Sequence, residues 1–326
     1  MSEVETLRSL AHEILTGEGY ALEQPISQLG LSVIPIVRTD EISPIEIDYL
    51  STSEAIEAGV LEIRDAGDAV NLIIARNTGT KPVLIEEGEV LRAEGSQDRM
   101  VISSIILQPG EQTRIPVKCI HAPHGLRPGA AFASMGVASD EVRSSVRKMK
   151  YQSIMTDVEH YVPESAVGQG EVWREVATIG AVSGGTDPTK YTETLENKRK
   201  EVTKAAKHIK DNLPEKTCGL LVIDSEGKPI FIEFYRSTRA FSKRQGLVES
   251  VVMMGNKDTK KGLSKKKALE RAQDTFRKLK DIPTDKVAKQ KDADNLQIGL
   301  GDLQGEAVVG EIRDKLKKIL YCSLGL

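Results

Sequence analysis

Apolar residues recur at Val4, Leu7, Leu10, Ala11, Ile14 and Leu15, a three-and-four spacing that lines one face of a helix, and Gly17 and Gly19 end the pattern. Such a face either packs on the chain's own core or docks a partner subunit, which would make a homo-oligomer. From Leu31 to Ile120 the character changes to short Val-, Ile- and Leu-rich runs separated by Gly, Pro, Asp and Asn. These predict strands near 31–37, 45–50, 60–64, 69–76, 82–86, 90–94, 99–107 and 112–120, with a helical turn at 53–58 closed by Gly59.

The run Met100–Leu107 is apolar on both alternating faces, so it is expected to be a central strand covered on both sides. Glu86, Glu87, Glu89, Arg92 and Glu94 crowd charge around the two preceding strands, and those strand ends are expected to meet water or a ligand.

After Ser139 the period becomes helical. Val142, Val146, Met149 and Ile154 form one stripe, and Leu195, Val202, Ala206, Ile209 and Leu213 form another that Pro214 ends. A polar loop, 183–188, lies between them. The runs 219–223 and 230–234 flank Asp224-Ser225-Glu226-Gly227-Lys228-Pro229 as a hairpin signal. Helical stretches follow at 242–254 and 263–280, and residues 296–326 again read as strands around a glycine-bearing loop. Strands at both ends with helices between them predict an α+β fold in which the terminal segments share a sheet. The expected organisation is an N-terminal helix and linker, 1–26, followed by one α+β domain, 27–326. The alternative is two domains with a boundary near 137.

Composition adds bounds rather than detail. An apolar fraction of 39% with 29% charged residues is that of a folded chain, not a disordered one. A net charge of -3 favours no polyanionic partner overall. Cys119, Cys218 and Cys322 are too few and too scattered for a disulfide framework. With an acidic start in place of a secretory leader, and no apolar run long enough for a membrane helix, a cytoplasmic address is expected and no membrane partner.

Four segments invite chemistry. Cys119-Ile120-His121-Ala122-Pro123-His124 could gather three metal donors or pair a thiolate with an imidazole, or else be a buried cysteine followed by surface histidines. Gly299-Leu300-Gly301-Asp302-Leu303-Gln304-Gly305 lacks the third glycine of a dinucleotide fingerprint and the Gly-Lys-Ser/Thr ending of a nucleotide loop, so it reads as a turn between strands. Residues 257–291 hold thirteen Lys or Arg against five acids. With Phe276 as their one aromatic, on the apolar stripe, a solvated helix face is preferred to a nucleic-acid surface. Finally, Asn77 to Arg99 concentrates polar groups at strand mouths, where a rigid scaffold can hold a ligand; a tight turn at Gly95-Ser96 and a surface ion pair at Asp98 and Arg99 is the competing account.

Asn77, Pro82-Val83-Leu84-Ile85, Gly88-Glu89, Gln97-Asp98-Arg99 and Ile115-Pro116-Val117-Lys118-Cys119, in that order, resemble the family named for its association with ADP-ribosylglycohydrolase and rhodanese-phosphatase proteins. The segment from Leu50 to Gly59 is similar as well. The pattern departs after the cysteine: His121 stands where the family has an acid, and Gly125-Leu126-Arg127 is followed by no tryptophan nearby.

The resemblance implies a link to ADP-ribose or NAD-consuming metabolism, without naming a reaction or a cofactor. It points to Glu89, Gln97, Asp98 and Arg99 as ligand-binding candidates, with His121 in the place of the acid. Arg99 would meet a pyrophosphate, while the glutamate or glutamine would meet ribose hydroxyls. The expected partner is a phosphate-bearing small molecule. Against this stand a non-catalytic interaction module and a nucleic-acid binder using residues 257–291.

Overall fold

The computed structural model of the chain describes residues 2–39, 49–67, 69–93, 95–121, 125, 127–182, 190–256, 262–291, 293–311 and 316–326. The expectations for a strand at 45–48, for His124, for the loop at 183–188 and for Lys260 and Lys261 lie outside these residues. The chain forms an α+β fold divided into two compact units. One unit comprises 1–47, 202–242 and 251–326, and the other comprises 48–201 and 243–250.

The first unit is built on a nine-stranded sheet. Its order runs Tyr20–Leu22, Leu31–Arg38, Thr217–Ile223, Pro229–Tyr235, Lys317–Gly325, Leu303–Glu311, Asn295–Leu300 and Val287–Lys289, with Ile26–Gln28 also paired to Leu31–Arg38. N-terminal and C-terminal strands therefore share one sheet, as their apolar runs at the two ends of the sequence predict. The helices Glu3–Thr16 and Lys265–Lys280 contribute to the same apolar core. Leu7, Leu10, Ala11 and Ile14 pack there with Phe276, Leu279, Ile34, Leu221 and Phe234. The apolar face considered above for docking a partner is thus buried in its own unit. Gly17, at φ 82°, closes the helix because a left-handed cap suits a residue without Cβ.

The hairpin predicted at 224–229 is present. Asp224 Oδ1 accepts from the Glu226 and Lys228 N–H groups, both at 2.9 Å, the side-chain turn that aspartate favours. The glycine loop at 299–305 is also a hairpin, with Leu300 opposite Leu303 and Gly301 at φ 63°, and Lys228 pairs with Asp302 at 2.8 Å. One row of this sheet is polar yet buried: Gln297 lies opposite Glu306, Glu306 opposite Ser323, and Ser323 opposite Glu233. Ser323 Oγ and Tyr235 Oη donate to the two oxygens of Glu233, at 2.9 and 3.0 Å, so the carboxylate is satisfied within the sheet.

The second unit carries a six-stranded antiparallel sheet in the order Phe132–Val137, Glu89–Ala93, Arg99–Val101, Gln112–Cys119, Leu72–Asn77 and Leu61–Asp65. A three-stranded sheet of Ile105–Leu107, Val83–Ile85 and Leu50–Ser51 accompanies it. The run at 100–107 is not one strand. It divides at Ile102-Ser103-Ser104, its first part lying inside the larger sheet and its second in the smaller. All three dividing residues are buried, and the Ser104 hydroxyl accepts from the Glu87 N–H at 2.8 Å, which draws the chain out of one sheet and into the other.

The helices Asp140–Thr156, Gln169–Val182 and the first part of Tyr191–Asn212, through Glu201, belong to this unit. The stretch expected as one helix at 242–254 is two, Thr238–Lys243 and Leu247–Met253, separated where Gly246 takes φ 75°. No helix among the described residues is long and apolar enough to cross a membrane.

Because Leu10 is 2% exposed in the core of the first unit, Leu10→Ala should lower unfolding stability by about 3 kcal/mol in chemical denaturation. A change under about 1 kcal/mol would mean that the helix is not part of that core.

Candidate functional site

The densest chemistry in the second unit begins at the turn after the strand Val83–Ile85. Glu86, Glu87 and Glu89 are all fully buried, so the charge expected at a wet strand end meets cations instead of water. The turn closes with the Glu89 N–H donating to the Glu86 carbonyl at 3.2 Å. Gly88 sits at φ 79°, and a Cβ there would fall 2.5 Å from Arg143 Nε, so glycine is demanded by both the backbone and its neighbour.

The helix Asp140–Thr156 supplies Arg143 and Arg147, one turn apart on the same face. Glu87 Oε2 accepts from Arg143 Nε and Nη2 at 3.2 and 3.0 Å and from Arg147 Nη2 at 3.2 Å. Arg147 Nη1 donates to Asp140 Oδ1 at 2.9 Å. On the other side of the turn, Arg244 and Ser134 both donate to the Glu89 carboxylate. Arg244 Nη2 also donates to the Glu87 carbonyl at 2.9 Å, and its Nη1 lies 3.8 Å from Glu86 Oε2. Glu86 Oε2 takes the Thr52 hydroxyl at 2.6 Å.

These partners separate two adjacent carboxyls. Burial alone would raise both, but Arg143, Arg147 and Lys150 overcome it for Glu87 and hold that group at about 2. Burial prevails for Glu86, where the attraction of Arg244 is countered by the like charge of Glu89, and its pKa rises to about 7. Removing one partner from such a buried set costs about 3–5 kcal/mol, because it strands a charge in a medium of low polarity. The cluster is a fastening: it holds the helix Asp140–Thr156 and the segment 243–250 to the sheet.

A separate cavity of about 330 Å³ is lined by Arg92, Ala93, Gly95, Ser96, Asp98, His121, Lys190, Glu193 and Glu196. Asp98 anchors it. Its Oδ1 accepts from the Ala93 N–H at 3.2 Å, its Oδ2 from the Thr192 hydroxyl at 2.7 Å, and its carbonyl from the Ile120 N–H at 3.1 Å. One residue thus joins the end of one strand, the end of another and the start of a helix. The Tyr191 N–H donates to the Ile120 carbonyl at 3.2 Å, and a backbone β-bridge joins His121 to Lys190, which sets His121 beside the helix start. Ser96 Oγ donates to Asp65 Oδ2 at 2.7 Å and accepts from the Arg127 N–H at 3.2 Å, pinning the Gly95-Ser96 turn. Around the rim, Arg92 pairs with Glu196 at 2.8 Å and Lys190 with Glu193 at 2.7 Å.

Of the residues singled out in the sequence, Asp98 and His121 line this cavity, each 3% exposed. Glu89 belongs to the buried arginine cluster, while Gln97 and Arg99 are buried and are not among the lining residues. Arg99 Nη1 donates to the Gln97 carbonyl at 3.0 Å, and its Nη2 lies 3.8 Å from Asp65 Oδ2, so Asp98 and Arg99 form no surface ion pair.

Lys190, Glu193 and Glu196 were not found from the sequence, because their spacing of three is that of any solvated helix face. Cys119 is buried, with burial pushing its thiol up; its Sγ accepts from the His121 N–H at 3.4 Å, and its backbone is clasped by the Gln169 amide. That environment opposes a thiolate nucleophile. Among the described residues no group of three His, Cys, Asp or Glu is placed to hold a metal ion.

A family model described as "ARG and Rhodanese-Phosphatase-superfamily-associated Protein domain" matches residues 19–322. No curated protein and no solved structure matches the chain.

Glu86 makes the buried cluster testable by pH. With a folded value near 7 against an ordinary 4.5, its protonation stabilises the fold below pH 4.5, and that contribution is lost as pH rises through 7. Glu86→Gln, neutral at every pH, should match the wild type near pH 4.5 and exceed it at pH 8 by roughly 2–3 kcal/mol in denaturant titrations. A less stable variant at pH 8 would show that the ionised pair with Arg244 dominates instead.

Proposed function

This chain belongs to the ARG- and rhodanese-phosphatase-superfamily-associated protein family, and from that premise we propose that the second unit binds ADP-ribose or a related nucleotide derivative in its polar cavity. The observation that carries the reading is the convergence of Asp98, His121, Arg92, Lys190, Glu193 and Glu196 on one concavity. Its size falls at the small end of ligand sites, which span about 300–1,000 Å³. A sugar or a base fits such a space, with the remainder of a nucleotide extending beyond it.

The site is pre-organised. Asp98 is held through both carboxylate oxygens, and the two rim ion pairs keep their long side chains in place before any ligand arrives, which reduces the entropy lost on binding. Hydroxyl-rich ligands suit this lining, since each hydroxyl can donate to a carboxylate and accept from an ammonium, a guanidinium or a protonated ring nitrogen. The competing readings draw less support. The apolar face of the N-terminal helix is buried, and the lysine-rich helix Lys265–Lys280 buries Ala268, Ala272, Phe276 and Leu279, leaving its charges as an ordinary solvated face.

Calorimetric titration of the full chain with ADP-ribose and with NAD tests the proposal. Saturable binding is expected, weakened at least tenfold by His121→Gln with the wild-type melting temperature retained within a few degrees. No heat and no thermal shift at millimolar ligand would refute it.

A further inference from the structure

We infer that the cavity receives its ligand by an uncharged or cationic ribosyl end and keeps the pyrophosphate out of the site. This rests on the binding reading above and names the part of the ligand that the site accepts.

The argument is a charge inventory of the lining. Two cations, Arg92 and Lys190, face three carboxylates, Asp98, Glu193 and Glu196. Both cations are already engaged, Arg92 with Glu196 at 2.8 Å and Lys190 with Glu193 at 2.7 Å. Asp98 is left as the excess charge, so the carboxylates of the lining outnumber its Lys and Arg side chains. A pyrophosphate entering here would have to take both cations from their partners and would then lie beside two released carboxylates. Like charges brought together in a partly enclosed space repel more strongly than they do in bulk water.

The helix start beside the cavity adds little for an anion. The helix Tyr191–Asn212 begins at the cavity, but its Tyr191 N–H donates to the Ile120 carbonyl, and its Glu193 and Thr194 N–H groups donate to the Lys190 carbonyl. Glu193 and Glu196, in its first two turns, set negative charge against the positive end of the helix dipole. Arg99, the natural phosphate partner by sequence, is fully buried and does not line the cavity; its Nη1 donates to the Gln97 carbonyl, and its Nη2 lies 3.8 Å from Asp65 Oδ2.

A ribosyl group has the opposite requirements. Its hydroxyls donate to carboxylates without breaking either ion pair. A positive charge on it, as in a pyridinium N-riboside, is attracted by the excess carboxylate of the lining.

The test titrates the full chain with four probes: ADP-ribose, a cationic N-riboside (nicotinamide riboside), ADP, and inorganic pyrophosphate. ADP-ribose and nicotinamide riboside are expected to bind and to compete, with ADP and pyrophosphate at least tenfold weaker than either. Glu196→Gln, which releases Arg92, should then raise affinity for pyrophosphate at least fivefold, and Glu193→Gln, which releases Lys190, provides the same check at a second position. If ADP or pyrophosphate displaces ADP-ribose with comparable affinity, or if neither glutamine variant gains pyrophosphate binding, this inference is overturned while the ADP-ribose reading stands. If ADP-ribose itself does not bind, that reading fails and this one with it.

Discussion

The second unit depends on a buried exchange of charge at the turn Glu86-Glu87-Gly88-Glu89. Three carboxylates in four residues would be untenable in a core without cations, and two separate parts of the chain deliver them: the helix Asp140–Thr156 and the segment carrying Arg244. The price is a strict geometry. Gly88 must lack a Cβ for Arg143 to approach, and Glu86 and Glu89 must share the single guanidinium of Arg244. Apolar packing of Val83, Ile85, Leu91 and Val101 provides bulk stability on the sheet side, but it would accept neighbouring elements in many orientations. Directional pairing with Arg143, Arg147 and Arg244 selects one of them.

The cavity uses the same chemistry with a different balance. Two of its inner polar groups are internally satisfied: Asp98 is bound by Ala93 and Thr192, and Ser96 by Asp65 and Arg127. Its rim groups, Arg92, Lys190, Glu193 and Glu196, are each about a third exposed. Exposed pairs of this kind contribute little to stability, so the fold does not depend on them. The inner groups therefore fix the shape of the cavity, and the rim pairs set the charge at its mouth.

Much of the strand pattern was legible in the sequence because alternation and turn residues act locally. Leu31–Arg38, Leu61–Asp65, Gln112–Cys119 and the hairpin around Asp224 fall where the apolar runs and the Gly, Pro and Asp punctuation place them. What escaped depended on distant partners. Phe132–Val137 is a strand whose Ser134, Met135 and Gly136 carry no apolar alternation; it is held by pairing with Glu89–Ala93. The helix Asp140–Thr156 lies where the stripe of Val142, Val146 and Ile154 places it, but the burial of Arg143, Arg147 and Lys150 on its inward face was not foreseen. Asp140 on the same helix meets Arg147, but nothing near these residues in sequence reveals that Glu87, more than fifty positions away, accepts from both arginines. Asp98 and His121, singled out from local pattern and resemblance, both line the cavity, whereas Lys190, Glu193 and Glu196 become a lining only once the helix start is set against Ile120.

The residues that carry the family resemblance therefore divide unevenly between framework and site. Gly88 and Glu89 lie in the buried arginine cluster, and Gln97 and Arg99 are buried behind the cavity wall; of the resembling residues, Asp98 alone lines it, with its carboxylate already engaged. Arg92, His121, Lys190, Glu193 and Glu196, which line the open space, lie outside those motifs. Loss of an arginine would strand a carboxylate in the buried cluster, whereas loss of a rim partner leaves the other group in contact with water. The architecture around Glu86 to Glu89 is therefore set by pairs that the fold requires, and the cavity mouth by pairs that it does not.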